Sequence, residues 1–149
     1  MFFPISRTLS KSYSLAGLRL GLACANESLI LEMNKVKDSY NVDMIAQTLA
    51  TAALEDQQYM QENVTKIRAT RDWLTEELRN HGCQVLPSAT NFLFVKPATP
   101  AAQLFAALKQ RRYLVRYFAL PRVDQYLRIT IGAREDMEGF LATFLELDR

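Results

Sequence analysis

The chain has 149 residues, 49% of them apolar and 23% charged, which is the size and composition of one ordinary soluble globular domain. Its net charge of +2 creates no strong field that would favour nucleic acid or an anionic membrane. There is no run of about 18 apolar residues and no signal-peptide pattern, so we expect a cytoplasmic protein with neither a nucleic-acid nor a membrane partner.

The first 40 residues predict two short strands on either side of a polar loop, followed by a helix. The strands cover about 4–9 and 18–25, and the loop between them is rich in serine. Asn26 is a typical N-cap residue, so the helix is predicted from Glu27 to about Lys37.

Two further helices are predicted over 41–55 and 57–80. The second has apolar residues at the spacing of one helix face, and Gly82 provides its stop. His81, the only histidine, precedes this glycine and is assigned a helix-end role. In the first of these helices four apolar side chains are available for burial: Met44, Ile45, Leu49 and Leu54.

Strands and helices alternate in the remainder of the chain. The pattern predicts strands over 84–86, 92–96, 113–118 and 126–131, and helices over 101–111 and 134–147. This mixture predicts an α/β fold in which helices pack on one face of a small sheet. No metal site is expected, because the two cysteines lack ligand spacing, and Cys24 is predicted to be a buried thiol.

One loop carries a specific arrangement of chemically active residues. Ser10 precedes Lys11, and Arg19 follows eight residues later, with Gly17 and Gly21 on either side of it. This segment resembles the cofactor-lysine segment of the fold-type-I, class I and II aminotransferases, which use pyridoxal 5'-phosphate. A lysine in a polar surface loop and an arginine in a solvated strand are the ordinary alternative.

The resemblance assigns roles that the chemistry of pyridoxal 5'-phosphate explains. Lys11 would form the Schiff base with the cofactor and move the proton during the reaction. Arg19 and Ser10 would bind the phosphate, and Thr8 is a further candidate for this role. Gly17 is expected to let the chain turn tightly, so that a strand carrying Arg19 returns beside the lysine loop.

The resemblance covers nearly the whole chain and narrows to the histidinol-phosphate aminotransferases. It implies that Arg128 binds the anionic group of the substrate and that Arg116 and Asn91 line the substrate site. Strand alternation independently places Arg128 on one face with Tyr126 and Thr130, although a salt bridge at the rim remains an alternative for it. The matching segments are Asn41-Val42, Pro87-Ser88-Ala89-Thr90-Asn91-Phe92, Leu114-Val115-Arg116 and Leu127-Arg128-Ile129-Thr130-Ile131-Gly132.

The resemblance also implies a domain plan. Residues 1–40 would be the end of the large cofactor-binding domain, 41–56 an interdomain helix, and 57–149 the small domain. Family members place the carboxylate that pairs with the pyridine nitrogen upstream of the lysine, and only ten residues precede Lys11. We therefore expect the chain to be incomplete and inactive by itself. Its expected partner is a second copy in a homodimer, or a chain that supplies the N-terminal half.

The implied reaction transfers an amino group between histidinol phosphate and 2-oxoglutarate in L-histidine biosynthesis. The substrates would thus be a small-molecule amino donor and a 2-oxo acid. Three alternatives stay open: an aminotransferase for aromatic amino acids, a threonine-phosphate decarboxylase, and a non-catalytic fragment that serves as a folded dimerisation module.

Overall fold

The computed structural model describes residues 3–148. The chain divides into two compact units, one ending at Asn63 and the other beginning at Val64, so the division falls inside a long helix. The predicted α/β class is confirmed, while the finer scheme of 1–40, 41–56 and 57–149 stays a prediction. Among the described helices, none has the length and apolar character needed to cross a membrane.

The first unit begins with an antiparallel strand pair followed by helices. Strands β1 (Ile5–Thr8) and β2 (Gly21–Cys24) pair so that Thr8 lies opposite Gly21. Helix α1 (Glu27–Val36) is capped as predicted, because the Asn26 side chain accepts the N–H of Ser28 at 3.0 Å.

Helix α2 (Met44–Glu55) follows α1, and helix α3 (Gln57–Asn80) crosses the unit boundary. The predicted start of α2 at 41 was three residues early. The carboxylate of Asp43 accepts the N–H of Ala46 at 2.8 Å and so caps the helix there.

Two burial predictions for this unit were wrong. Met44, Ile45 and Leu49 are 80%, 71% and 47% exposed, and the buried face of α2 consists of Ala46 and Ala50. Apolar content therefore predicted the helix but not which of its faces is buried. Cys24 is also exposed, because it belongs to a two-stranded ladder whose residues are all exposed.

The second unit is built on a four-stranded antiparallel sheet with the strand order β3-β4-β6-β5. Its strands are β3 (Gln84–Val85), β4 (Phe92–Lys96), β5 (Arg116–Tyr117) and β6 (Leu127–Thr130). Its helices are the C-terminal part of α3 with α4 (Ala101–Gln110) and α5 (Arg134–Leu147). The bounds of α3, β4 and α5 agree with the sequence prediction.

The core of the second unit lies between the helices and one face of the sheet. Strand β4 contributes Leu93 and Val95, and β6 contributes Leu127 and Ile129, at alternate positions. The helices contribute Leu74, Leu78, Leu104, Leu108, Met137, Phe140 and Phe144 to the same cluster. The prediction that helices pack on one face of a small sheet is thus confirmed. The opposite face carries the alternate residues of the strands, among them Phe94 and Arg128.

Strand β5 is shorter than the predicted 113–118 and begins only at Arg116, after a turn that closes α4. Arg112 has a φ of 66°, and the N–H of Tyr113 donates to the carbonyl of Leu108 at 3.0 Å. This contact satisfies a carbonyl at the end of the helix, so Tyr113 belongs to the helix end and not to the strand.

Asp148, at the end of α5, is buried and ties three segments together. Its carboxylate accepts the backbone N–H groups of Ala98 at 3.2 Å and Thr99 at 2.6 Å. The thiol of Cys83 approaches the same carboxylate at 3.5 Å. His81, which follows α3 as predicted, has its Nε2 atom 2.9 Å from the Asp148 carbonyl oxygen.

We predict that Asp148→Ala lowers the free energy of unfolding by about 3 kcal/mol, because two backbone N–H groups lose their charged acceptor. Denaturant unfolding followed by circular dichroism measures this value. Glu146→Gln is the matched control on the same helix: it removes only an exposed ion pair with Arg111 and should cost less than about 1 kcal/mol. Equal losses in the two variants would contradict the role assigned to Asp148.

The two cysteines should differ sharply in reactivity. Burial, aided by the nearby Asp148 carboxylate, raises the pKa of the Cys83 thiol to about 12, whereas Cys24 is exposed. Because the thiolate is the reactive form, iodoacetamide at pH 8 should alkylate Cys24 and leave Cys83 unmodified until the chain is unfolded. Peptide mass mapping checks this, and equal alkylation of both cysteines in the folded chain would refute it.

Candidate functional site

In the first unit, the loop over residues 9–20 joins β1 to β2 and carries the predicted cofactor residues. Its ends are held together by the N–H of Leu9, which donates to the Leu20 carbonyl at 3.3 Å. The Leu9 carbonyl in turn accepts the N–H of Leu15 at 3.1 Å, and the Leu9 side chain is buried. The loop is therefore a closed and anchored structure that can present Ser10, Lys11 and Arg19 in fixed positions.

Gly17 lies in a single 3-10 turn, Ala16–Leu18, so the chain turns where expected. It has no positive φ, so the turn does not depend on the conformational freedom of glycine. The left-handed residues are Ser14, with a φ of 57°, and Arg19, with a φ of 53°. Such backbone strain in residues other than glycine clusters at functional sites.

Arg19 ends the 3-10 turn and does not lie in a strand, which corrects the prediction that a strand carries it. Strand β2 begins two residues later, at Gly21. A Cβ atom at Gly21 would stand 3.0 Å from the Arg7 carbonyl oxygen. A side chain here would therefore crowd the facing strand, which favours glycine at this position.

Thr8 and Ser10 form a small hydroxyl pair at the start of the loop. The Thr8 hydroxyl accepts the N–H of Ser10 at 3.1 Å and donates to the Ser10 hydroxyl at 2.9 Å. Since the Ser10 oxygen is the acceptor in this pair, its own proton can donate to an external anion.

Lys11 and Arg19 are both exposed. One guanidinium nitrogen of Arg19 donates to the Ala16 carbonyl at 3.0 Å, which restrains the side chain and leaves its other donors available. Within residues 3–148, no carboxylate forms an ion pair with either cation. A lysine amine, a restrained guanidinium and a directed hydroxyl on one closed loop fit an aldehyde cofactor that carries a phosphate.

In the second unit, two predicted substrate residues lie on the sheet face opposite the core. Arg116 of β5 is directly opposite Arg128 of β6, and both are exposed. No carboxylate among the described residues pairs with either arginine, so the salt bridge considered for Arg128 is absent there. Like charges directly opposite each other destabilise a sheet, unless an anion is bound between them.

Aromatic rings surround the two arginines. The guanidinium carbon of Arg128 lies 5.3 Å from the ring centre of Phe92, and that of Arg116 lies 5.3 Å from the ring centre of Phe118. Phe94 stacks on Tyr126 with ring centres 4.9 Å apart. These contacts place both cations against apolar walls without neutralising them.

A groove of about 520 Å³ runs along this face, with Arg128 in its lining. Phe92, Phe94 and Phe118 contribute its aromatic walls, and they are the site residues that sequence reasoning missed. The signal was present in the alternation of Phe92 and Phe94 along β4, which puts both rings on the face opposite Leu93.

Asn91 lies next to Phe92 and contributes its backbone to the sheet. Its carbonyl accepts the N–H of Ile131 at 2.9 Å, and its side chain is half-buried. Because its side chain is absent from the lining of the groove beside Arg128, the predicted contact of Asn91 with substrate stays a prediction.

Comparison with known proteins identifies the family. The family model for aminotransferase class I and II matches residues 4–144. A histidinol-phosphate aminotransferase of Syntrophotalea carbinolica is 49% identical over 96% of this chain and 42% of its own length. One from Synechocystis is 51% identical over 96% of this chain and 41% of its own length.

A solved structure shows the same architecture. It is the histidinol-phosphate aminotransferase of Sinorhizobium meliloti in complex with pyridoxal 5'-phosphate, with a TM-score of 0.86 and 28% identity. The match covers 98% of this chain and 41% of that one. The chain thus spans about two fifths of the length of the relatives that it matches.

The structural match confirms the fold expected of a fold-type-I aminotransferase. The chain belongs to the aminotransferase class I and II family.

Proposed function

We propose that this chain is the lysine-bearing and arginine-bearing portion of a histidinol-phosphate aminotransferase. The observation that carries the proposal is the closed loop over residues 9–20, which presents Ser10, Lys11 and Arg19 together. The relatives that bear this enzyme's name are about half identical to the chain, and the Sinorhizobium meliloti structure was solved with pyridoxal 5'-phosphate.

Each loop residue has a distinct task in this proposal. Bound pyridoxal 5'-phosphate supplies an aldehyde that joins to amines and a ring that withdraws electrons from the adjacent carbon. Lys11 would hold the cofactor through its side-chain amine, and the free amine would move the proton at the substrate Cα. Arg19 and the Ser10 hydroxyl bind the phosphate, and Thr8 orients Ser10 for this contact.

The facing arginines support a substrate with a doubly charged group. Arg128, with Arg116 directly across the strands, can bind one phosphate monoester between two guanidinium groups. Asn91, which immediately precedes β4, is retained as a third proposed substrate contact. A phosphate monoester carries close to two negative charges, one for each arginine. The side chain of an aromatic amino acid carries no negative charge, so such a substrate would fit the arginine pair less well.

The reaction proposed is transfer of the amino group of histidinol phosphate to 2-oxoglutarate, a step of L-histidine biosynthesis. A cytoplasmic location suits such a biosynthetic step. The chain spans about two fifths of its relatives, and we propose that the carboxylate for the pyridine nitrogen lies outside these 149 residues. The proposed partner is a second copy in a homodimer, or a chain that supplies the N-terminal half.

Lys11 should carry the cofactor in the complete protein. Reduction of the pyridoxal-phosphate-loaded protein with borohydride, followed by peptide mapping, should place the pyridoxyl group on Lys11, because its amine is exposed on the anchored loop. Lys35 and Lys37 are internal controls in the same unit, and labelling there instead of at Lys11 would refute the assignment.

The two arginine groups should give opposite defects. Arg128→Ala in the complete protein should raise KM for the anionic substrate by about 30-fold or more and leave cofactor affinity nearly unchanged. Arg19→Ala should weaken the affinity for the cofactor more than it raises KM, because it removes the guanidinium that binds the cofactor phosphate. Steady-state kinetics together with cofactor titration separate these outcomes. Loss of both affinities in Arg128→Ala would indicate a structural role for that residue.

A further inference from the structure

We propose that Phe92 is a positioning residue that holds the Arg128 guanidinium in its substrate-binding orientation, and that Ser88 and Thr90 fix Phe92 in turn. The inference rests on the proposed function of Arg128 and deepens it. It concerns how an exposed and unpaired arginine is kept ready for an anion.

The contact between Phe92 and Arg128 follows from the register of β4 against β6. Phe94 lies directly opposite Arg128, and Phe92 lies opposite Thr130, so the Phe92 ring is the diagonal neighbour of Arg128 on the same sheet face. The guanidinium carbon stands 5.3 Å from the ring centre, within the range of about 6 Å for a cation–π contact.

The contact with the Phe92 ring limits the orientations that the Arg128 guanidinium can adopt. Within residues 3–148, no ion pair involves Arg128, and its guanidinium contacts the Phe92 ring. A carboxylate partner would occupy the N–H donors and cancel the charge. An aromatic ring restrains the cation while the donors and the charge stay available to substrate.

The backbone of Phe92 is itself braced by two hydroxyl groups. Its carbonyl accepts the Ser88 hydroxyl at 2.6 Å and the Thr90 hydroxyl at 3.2 Å, and its N–H donates to the Thr90 oxygen at 3.3 Å. Arg71 of α3 donates to the Thr90 carbonyl at 3.2 Å. The loop before β4 is thereby attached to helix α3. The backbone position from which the Phe92 ring extends is therefore fixed.

A restrained arginine binds an anion more tightly because fewer rotamers have to be ordered on binding. Phe92→Leu keeps an apolar side chain but removes the ring face. In the complete, cofactor-loaded enzyme, we expect this change to raise KM for the anionic substrate by about 3- to 30-fold. The value of kcat and the affinity for pyridoxal 5'-phosphate should change less than about twofold.

The experiment compares wild type with Phe92→Leu, Phe92→Tyr and Phe105→Leu. Phe92→Tyr restores the ring face and should return KM to nearly the wild-type value. Phe105→Leu is the control for loss of an aromatic residue. Phe105 lies on α4, packs near Tyr117 of β5 and does not line the groove. This change should leave KM unchanged.

A double-mutant cycle gives the sharpest test. In an Arg128→Ala background, Phe92→Leu should cause no further loss of kcat/KM, because the ring has no guanidinium to hold. Additive losses, or an unchanged KM in Phe92→Leu alone, would overturn the proposal. An Arg128→Ala enzyme with wild-type KM would instead remove Arg128 from the substrate site, and the proposal about Phe92 would fail together with the proposed function.

Discussion

The register of β4 against β6 sets the core and the candidate substrate face of the second unit at the same time. Leu93 pairs with Ile129 toward the helices, and Phe94 pairs with Arg128 on the opposite face. A slip of one residue would move Arg128 into the core and leave Leu127 and Ile129 on the outer face. The burial of those apolar residues therefore also fixes the direction in which the arginine is presented.

The loop over residues 9–20 is held in shape differently from the sheet, because Leu9 is its one buried apolar side chain. Hydrogen bonds at its base and the buried side chain of Leu9 hold it, while left-handed Ser14 and Arg19 shape its turns. Non-glycine residues adopt this conformation at an energetic cost that the surrounding contacts must offset. That cost is consistent with a loop whose shape is selected for ligand binding rather than for stability.

Sequence periodicity was sufficient where a buried face imposes it. The bounds of α3 and α5 could be predicted because apolar residues recur at the helical spacing, and those of β4 because a short apolar run ends at Lys96, before Pro97. The face of α2 could not be predicted, because Ala46 and Ala50 are less apolar than the exposed Met44 and Ile45. The alternation along β4 indicates that Phe92 and Phe94 share one face, but their contact with Arg128 depends on the register of β4 against β6, which a single strand's pattern does not contain.

The central claim is that one protein combines a lysine-bound pyridoxal phosphate with a site for a phosphate-bearing amine. The most direct test follows the visible absorbance of the complete, cofactor-loaded protein while histidinol phosphate or histidinol is added. We expect histidinol phosphate to convert the cofactor at low concentration and histidinol to require at least about tenfold more, because only the ester would engage Arg116 and Arg128. An equal response to both compounds, or no response to either, would contradict the account.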